Sequence, residues 1–63
     1  MLTTQEMTDA RAKLNAARTL IDAVHAVFVG AGYIAGTHDL EYAAELIADE
    51  ISQLDKAISG VKP

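Results

Sequence analysis

The 63-residue chain has no cysteine, which excludes disulfide bonds and thiolate metal sites together. A chain of this length buries little surface, and ordering each residue costs roughly 1.5 kcal/mol of conformational entropy. Small proteins usually offset that cost with disulfides, a metal or oligomerisation. We therefore expect one domain, residues 1–63, that is stabilised by oligomerisation. The lack of cysteine also fits a reducing cytoplasm, the expected location.

The chain also lacks a long hydrophobic run and a basic stretch. Its most apolar window, residues 23–36, falls short of the roughly 20 residues that span a bilayer, and no signal peptide is recognisable. We therefore expect no membrane association. Five Lys and Arg residues stand against nine Asp and Glu residues, for a net charge of −4. A chain without a basic stripe is poorly suited to bind the phosphate backbone of a nucleic acid, so we expect no nucleic-acid partner.

Apolar residues, by contrast, make up 51% of the sequence and recur at helical spacing. In two segments they alternate at intervals of three and four, the spacing of a heptad seam. The seam positions are Met7, Ala10, Leu14, Ala17, Ile21, Val24 and Phe28, then Leu40, Ala44, Ile47, Ile51, Leu54, Ile58 and Val61. This pattern predicts an all-α fold with helices at about residues 4–29 and 38–59. Their short connection, about residues 30–37, makes the helices antiparallel.

The ends of both helices are predicted from capping residues. Thr3 and Glu6 have the spacing of a capping box, and Thr37 is the expected N-cap of the second helix. Gly30 or Gly32 is a natural end for the first helix, because glycine accepts the left-handed backbone conformation.

The register of the hairpin is predicted by two independent features. When facing residue numbers sum to 68, every layer of the seam is apolar, and three of the seven layers set an alanine against a larger residue. The same register places Arg11 near Asp55 and His25 near Glu41. Because apolar layers and charges agree, the sequence favours this single arrangement.

The apolar stripe is wider than one helix partner can cover, and it widens on one side only. A second hairpin against that side would give a four-helix bundle, and C2 symmetry is the commonest way to supply one. We expect a homodimer or a higher homo-oligomer, with a different partner protein as the alternative. The predicted interface residues are Leu20, Val27, Ala16, Ala23, Ala43 and Leu46.

Residues 27–36 contain the Gly-x-Gly-x-x-Ala spacing of a dinucleotide-binding fingerprint, at Gly30, Gly32 and Ala35. That fingerprint needs a preceding strand, but these residues continue a heptad. The chain is also too short to build the sheet. We interpret the segment as a flexible interhelical turn.

No arrangement of residues predicts catalysis. The sequence shows no nucleophile with a matching base, and we expect no enzymatic activity, no catalytic or metal-binding residue and no cofactor. His25 and His38 lie toward the same end of the predicted hairpin as Asp39 and Glu41. A small ligand or metal site near the glycine turn is therefore a remote alternative.

Several further residues admit two interpretations. Tyr42 and Leu46 stand one helical turn apart among carboxylates, and they belong either to the oligomer interface or to an anchor that docks onto a basic protein surface. The residues of the turn admit the same pair of interpretations. The candidate contact residues are Tyr42, Glu45, Asp49, Tyr33 and Ile34.

The expected function is that of a small, acidic, non-enzymatic interaction module that homo-oligomerises. An inhibitor, an antitoxin-like regulator and an adaptor remain open. A structural or assembly protein, whose oligomerisation is its function, is the alternative. In style, the chain is like the very small helical proteins of bacteria and phages.

Overall fold

The computed structural model describes residues 1–60, which form two α-helices, α1 (Thr4–Ala31) and α2 (Ile34–Ser59). The helices pack against each other as an antiparallel hairpin of 49 × 16 × 15 Å. The predicted all-α hairpin is confirmed. Within the described residues, neither helix has a stretch long and apolar enough to cross a membrane.

The start of α1 is closed by the predicted capping box. The Thr3 hydroxyl accepts a hydrogen bond from the Glu6 backbone N–H at 3.0 Å, and the Glu6 carboxylate accepts one from the Thr3 backbone N–H at 2.9 Å. Two donors that the helix itself cannot satisfy are thus paired. The bond from the Thr3 backbone N–H, followed by the interaction with its hydroxyl, lowers the pKa of Glu6.

The turn between the helices is shorter than predicted. Gly32 adopts the left-handed conformation (φ 72°, ψ 22°) and donates its N–H to the carbonyl of Val29, while the Tyr33 N–H donates to the carbonyl of Phe28. This pair of bonds is a Schellman motif, which ends a helix and reverses the chain within a few residues. Gly32, one of the two predicted stops, therefore ends α1, and Gly30 lies inside the helix.

The predicted start of α2 near residue 38, and with it the connection at residues 30–37, is wrong. The helix begins at Ile34, and its N-cap is Tyr33, which makes no side-chain capping bond. Thr37 is already helical, and its hydroxyl donates to the carbonyl of Tyr33 at 2.8 Å. Gly36, which suggests an interruption, lies instead in the first turn of α2 and is buried.

A packing requirement explains Gly36. The rings of Phe28 and Tyr33 meet edge to face, with their centroids 5.1 Å apart. A Cβ on Gly36 would lie 2.6 Å from the Tyr33 ring and 2.9 Å from the Phe28 ring. The glycine is therefore needed because two aromatic rings close over its backbone, and it does not break the helix.

The seam between the helices is thin. Among residues 1–60, only Leu54 and Gly36 are buried, and no large side chain is fully enclosed. Most other seam residues are half-buried, and Val24 is 43% exposed. The predicted layer of Met7 against Val61 lies partly outside the described residues. Two helices alone therefore shield their apolar stripe incompletely.

Candidate interaction surfaces

One side of the seam is the ion-paired flank, named for the pair of Arg11 with Asp55; it also contains His25 and Glu41, whose hydrogen bond is an ion pair only when the imidazole is protonated. The Arg11 Nη1 atom lies 2.8 Å from Asp55 Oδ1, and His25 Nε2 lies 3.3 Å from Glu41 Oε1. The Nδ1 atom of His38 is 3.9 Å from the second Glu41 oxygen. Both predicted pairs are present, which confirms the predicted register.

These pairs determine how the two helices align, but they add little to the stability of the hairpin. The side chains of Arg11 and Asp55 are 36% and 52% exposed, so water screens their attraction. Exposed ion pairs of this kind contribute roughly 0–1 kcal/mol. A mismatch of register would nevertheless separate both pairs at once. This flank is therefore already complete within one chain.

The opposite side is an apolar flank, and the hairpin leaves it uncovered. Its three large side chains are widely exposed: Leu20 at 69%, Val27 at 66% and Leu46 at 48%. Ala16 and Ala23 are also exposed, whereas Ala43 is half-buried. By their heptad positions, all six residues predicted as an interface lie on this side of the seam, and the interface itself stays a prediction.

Because the side chains of the apolar flank are exposed, the hairpin does not gain the free energy that their burial would contribute. Full burial of a leucine or valine side chain contributes roughly 1.5–3 kcal/mol, and most of that is unrealised for Leu20 and Val27 in a single hairpin. Isolated surface leucines are ordinary, but a contiguous apolar patch marks an interaction site. A patch of this kind matters more in a chain whose own core is this thin.

A second exposed region, the Tyr42 surface (Tyr42, Glu45, Leu46 and Asp49), lies on the outer side of α2. The Tyr42 side chain is 64% exposed, and Glu45 and Asp49 are exposed beside it. Leu46 borders both this surface and the apolar flank. The predicted contact residues of α2 are therefore neighbours on one helix face.

The charge on α2 is one-sided. From Ile34 to Asp55 the helix contains no Lys or Arg, and within residues 1–60 no side-chain hydrogen bond or ion pair involves Glu45 or Asp49. Glu45 stands four residues from both Glu41 and Asp49. Like charges at this spacing destabilise a helix by about 0.2–0.5 kcal/mol each. The carboxylates on this face of α2 therefore repel one another and have no cation of the helix beside them.

The tip of the hairpin carries the other two predicted contact residues. Tyr33 is 53% exposed although its ring packs on Phe28, and Ile34 is 70% exposed. Val29, which we did not predict as a contact residue, is 56% exposed and borders a cavity of about 280 Å³ with Ile34. Its position off the seam, in the apolar run of residues 26–29, is the signal that could have identified it.

The histidines and carboxylates near the tip do not form a metal centre. His25 and Glu41 line a shallow cleft of about 210 Å³ that opens to solvent. No group of three or more His, Cys, Asp or Glu side chains in residues 1–60 is arranged to hold a metal ion. At this end of the hairpin, the Glu41 carboxylate lies near the imidazoles of His25 and His38.

Comparison with protein-family models, with curated proteins and with solved structures finds no match to this chain.

Proposed function

We propose that the protein is a non-enzymatic interaction module that acts as a homo-oligomer, in which a second copy covers the apolar flank. The observation that carries this proposal is the exposure of Leu20 and Val27 on α1 and of Leu46 on α2, all on the side of the seam opposite the ion-paired flank. An apolar stripe that widens on one side only is typical of a helix pair that belongs to a larger bundle. In a four-helix bundle, each hairpin would supply the layer that the other lacks.

A second copy suits this flank better than an unrelated protein for two reasons. Closed C2 dimers are by far the commonest soluble assemblies, because one self-complementary patch serves both subunits. The flank is also needed for stability, since the seam of one hairpin buries so little. A copy of the same chain is present whenever the chain is made, so folding and assembly can be coupled.

Solution mass by light scattering, combined with thermal unfolding over a hundredfold range of protein concentration, tests the proposal. We expect a dimer or higher oligomer whose melting temperature rises with concentration, because the associated state is favoured by mass action. A monomer whose melting temperature does not depend on concentration would contradict the proposal.

A pair of neighbouring substitutions locates the interface. Leu20→Glu places a charge on the apolar flank, whereas Thr19→Glu places the same charge on the exposed outer side of α1. We expect Leu20→Glu to lower the solution mass to that of a monomer and Thr19→Glu to leave it unchanged. Equal effects of the two variants would show that net charge, and not the flank, controls association.

An assembly role is the second candidate, and the tip of the hairpin favours it. Val29 and Ile34 are exposed at one end of the molecule and are not among the residues of the apolar flank. A protein with two separate apolar surfaces can extend beyond a closed dimer. This candidate predicts species larger than a dimer, which Ile34→Glu reduces to dimers joined through the apolar flank and Leu20→Glu reduces to species joined through the tip alone.

A further inference from the structure

Tyr42 is a large exposed side chain that neither the hairpin nor the proposed oligomer explains. The contacts of α2 with α1 lie along the seam and the ion-paired flank, on the other side of the helix. In the heptad of α2, Tyr42 occupies the position farthest from that seam. A second hairpin on the apolar flank would reach Leu46 at its border but would leave the Tyr42 ring exposed.

The charges beside Tyr42 indicate what kind of molecule could cover it. Glu45 and Asp49 are exposed next to the ring, and no Lys or Arg occurs on α2 before Lys56. Such a surface repels the phosphates of nucleic acids and of anionic lipids. It attracts cations, and an aromatic ring adds to that attraction because its negative face binds Arg or Lys.

We propose that the Tyr42 surface binds a basic amphipathic segment of another protein, with Tyr42 as the apolar anchor and Glu45 and Asp49 as the partners of its cations. This inference rests on the proposed function, since it names the partner of the interaction module. Binding energy at such sites concentrates in a few aromatic or apolar anchors surrounded by polar contacts. The anchor gives specificity of position, and the carboxylates give fast association and orientation.

The test uses the full chain and two synthetic peptides of identical composition. One peptide forms a helix with arginines segregated around a leucine stripe, and the other has the same residues permuted so that no such face forms. Affinity is measured by isothermal titration calorimetry at low and at physiological salt. We expect the amphipathic peptide to bind at least about tenfold more tightly, a difference of about 1.4 kcal/mol. Equal binding, or no binding, would overturn the inference.

Matched variants separate the surface from general charge attraction. Glu45→Gln/Asp49→Asn removes two negative charges from the Tyr42 surface, and Asp9→Asn/Asp22→Asn removes two from exposed positions of α1. We expect the first pair to weaken binding about tenfold and the second less than about threefold, since charge at a distance is screened. Equal losses would show unspecific attraction to an acidic protein.

Tyr42→Ala distinguishes failure of this inference from failure of the proposed function. We expect it to weaken peptide binding about tenfold while the solution mass stays that of the wild-type protein. If Tyr42→Ala instead dissociates the oligomer, the ring belongs to the self-interface and this inference is overturned, although the proposed function stands. A monomeric wild-type protein would contradict the proposed function without affecting the peptide measurement.

Discussion

The two flanks of one helical seam differ in how far a single chain completes them. The ion-paired flank joins the helices through Arg11–Asp55 and His25–Glu41, and its groups find their partners within the hairpin. The apolar flank leaves Leu20 and its neighbours exposed. Charged groups tolerate solvent, so their pairing adds alignment and little free energy. Exposed apolar groups gain free energy only when something covers them, and they therefore indicate where the next layer belongs.

The largest effect should come from making the two flanks alike. The register that pairs Arg11 with Asp55 places Val27 level with Ala43 on the apolar flank. Val27→Arg/Ala43→Glu would place an ion pair on the apolar flank as well, and it would remove a valine from the interface of each copy. We expect a helical monomer, because losing about 1.5–3 kcal/mol on each of two copies weakens a dimer more than a hundredfold. Light scattering and circular dichroism measure both properties.

The control for this variant adds the same charges elsewhere. Thr19→Arg/Ser52→Glu changes exposed positions outside the flank and should leave the solution mass unaltered. If the flank variant kept the wild-type mass, the apolar flank would not be the self-interface, and the contrast between the flanks would lose its functional meaning.

A smaller effect is expected where the turn meets both helices, and here two glycines should respond in opposite directions. Gly36→Ala forces the rings of Tyr33 and Phe28 to move, and overpacking of this kind costs about 1–3 kcal/mol. Gly30→Ala meets nothing within 4 Å inside α1, so it should stabilise the protein by about 0.5–1 kcal/mol. Chemical denaturation measures both free energies of unfolding. A stabilising Gly36→Ala would mean that the ring packing does not constrain the turn.

The ion-paired flank should respond least to substitution. A double-mutant cycle on Arg11 and Asp55, each replaced by alanine, should give a coupling free energy of about 0.2–1 kcal/mol that shrinks in high salt. The measurement is chemical denaturation of the wild-type protein, both single variants and the double variant. A coupling above about 2 kcal/mol, a value typical of desolvated pairs, would show that this flank is buried in the assembled protein.

Much of this architecture follows from the sequence because it depends on periodic patterns. Heptad spacing determines the helices, and the pairing of Arg11 with Asp55 determines their register; both are local or one-to-one relations. The start of α2 does not follow, since Thr37 and Gly36 have the residue types of a cap and a breaker. Their actual conformation depends on a three-dimensional contact, the closure of two aromatic rings over Gly36.

The candidate surfaces are predictable to a similar extent. The six residues of the apolar flank follow from the width of the stripe, which is a periodic property. The exposure of Val29 also follows from its position off the seam, but the cavity that it borders with Ile34 does not, because it depends on where the turn places the last residues of α1. Whether Leu46 serves the flank or the Tyr42 surface cannot be read from spacing either, since it borders both.

The two helices differ at their N-termini much as the two flanks differ: one end is satisfied by its own side chains and the other is not. α1 begins with reciprocal hydrogen bonds of Thr3 and Glu6, whereas α2 begins without a side-chain cap. The capping bonds lower the pKa of Glu6. The ionised carboxylate of Glu6 therefore stabilises α1 at pH values above the ordinary pKa of glutamate. This stabilisation is lost as the pH falls through the lowered pKa of the folded protein. We expect NMR titration to show Glu6 titrating lower than in Thr3→Ala, with fraying of the first turn of α1 in the same acidic range. Identical titration in both proteins would show that the Thr3 hydroxyl does not contribute to the lowered pKa of Glu6.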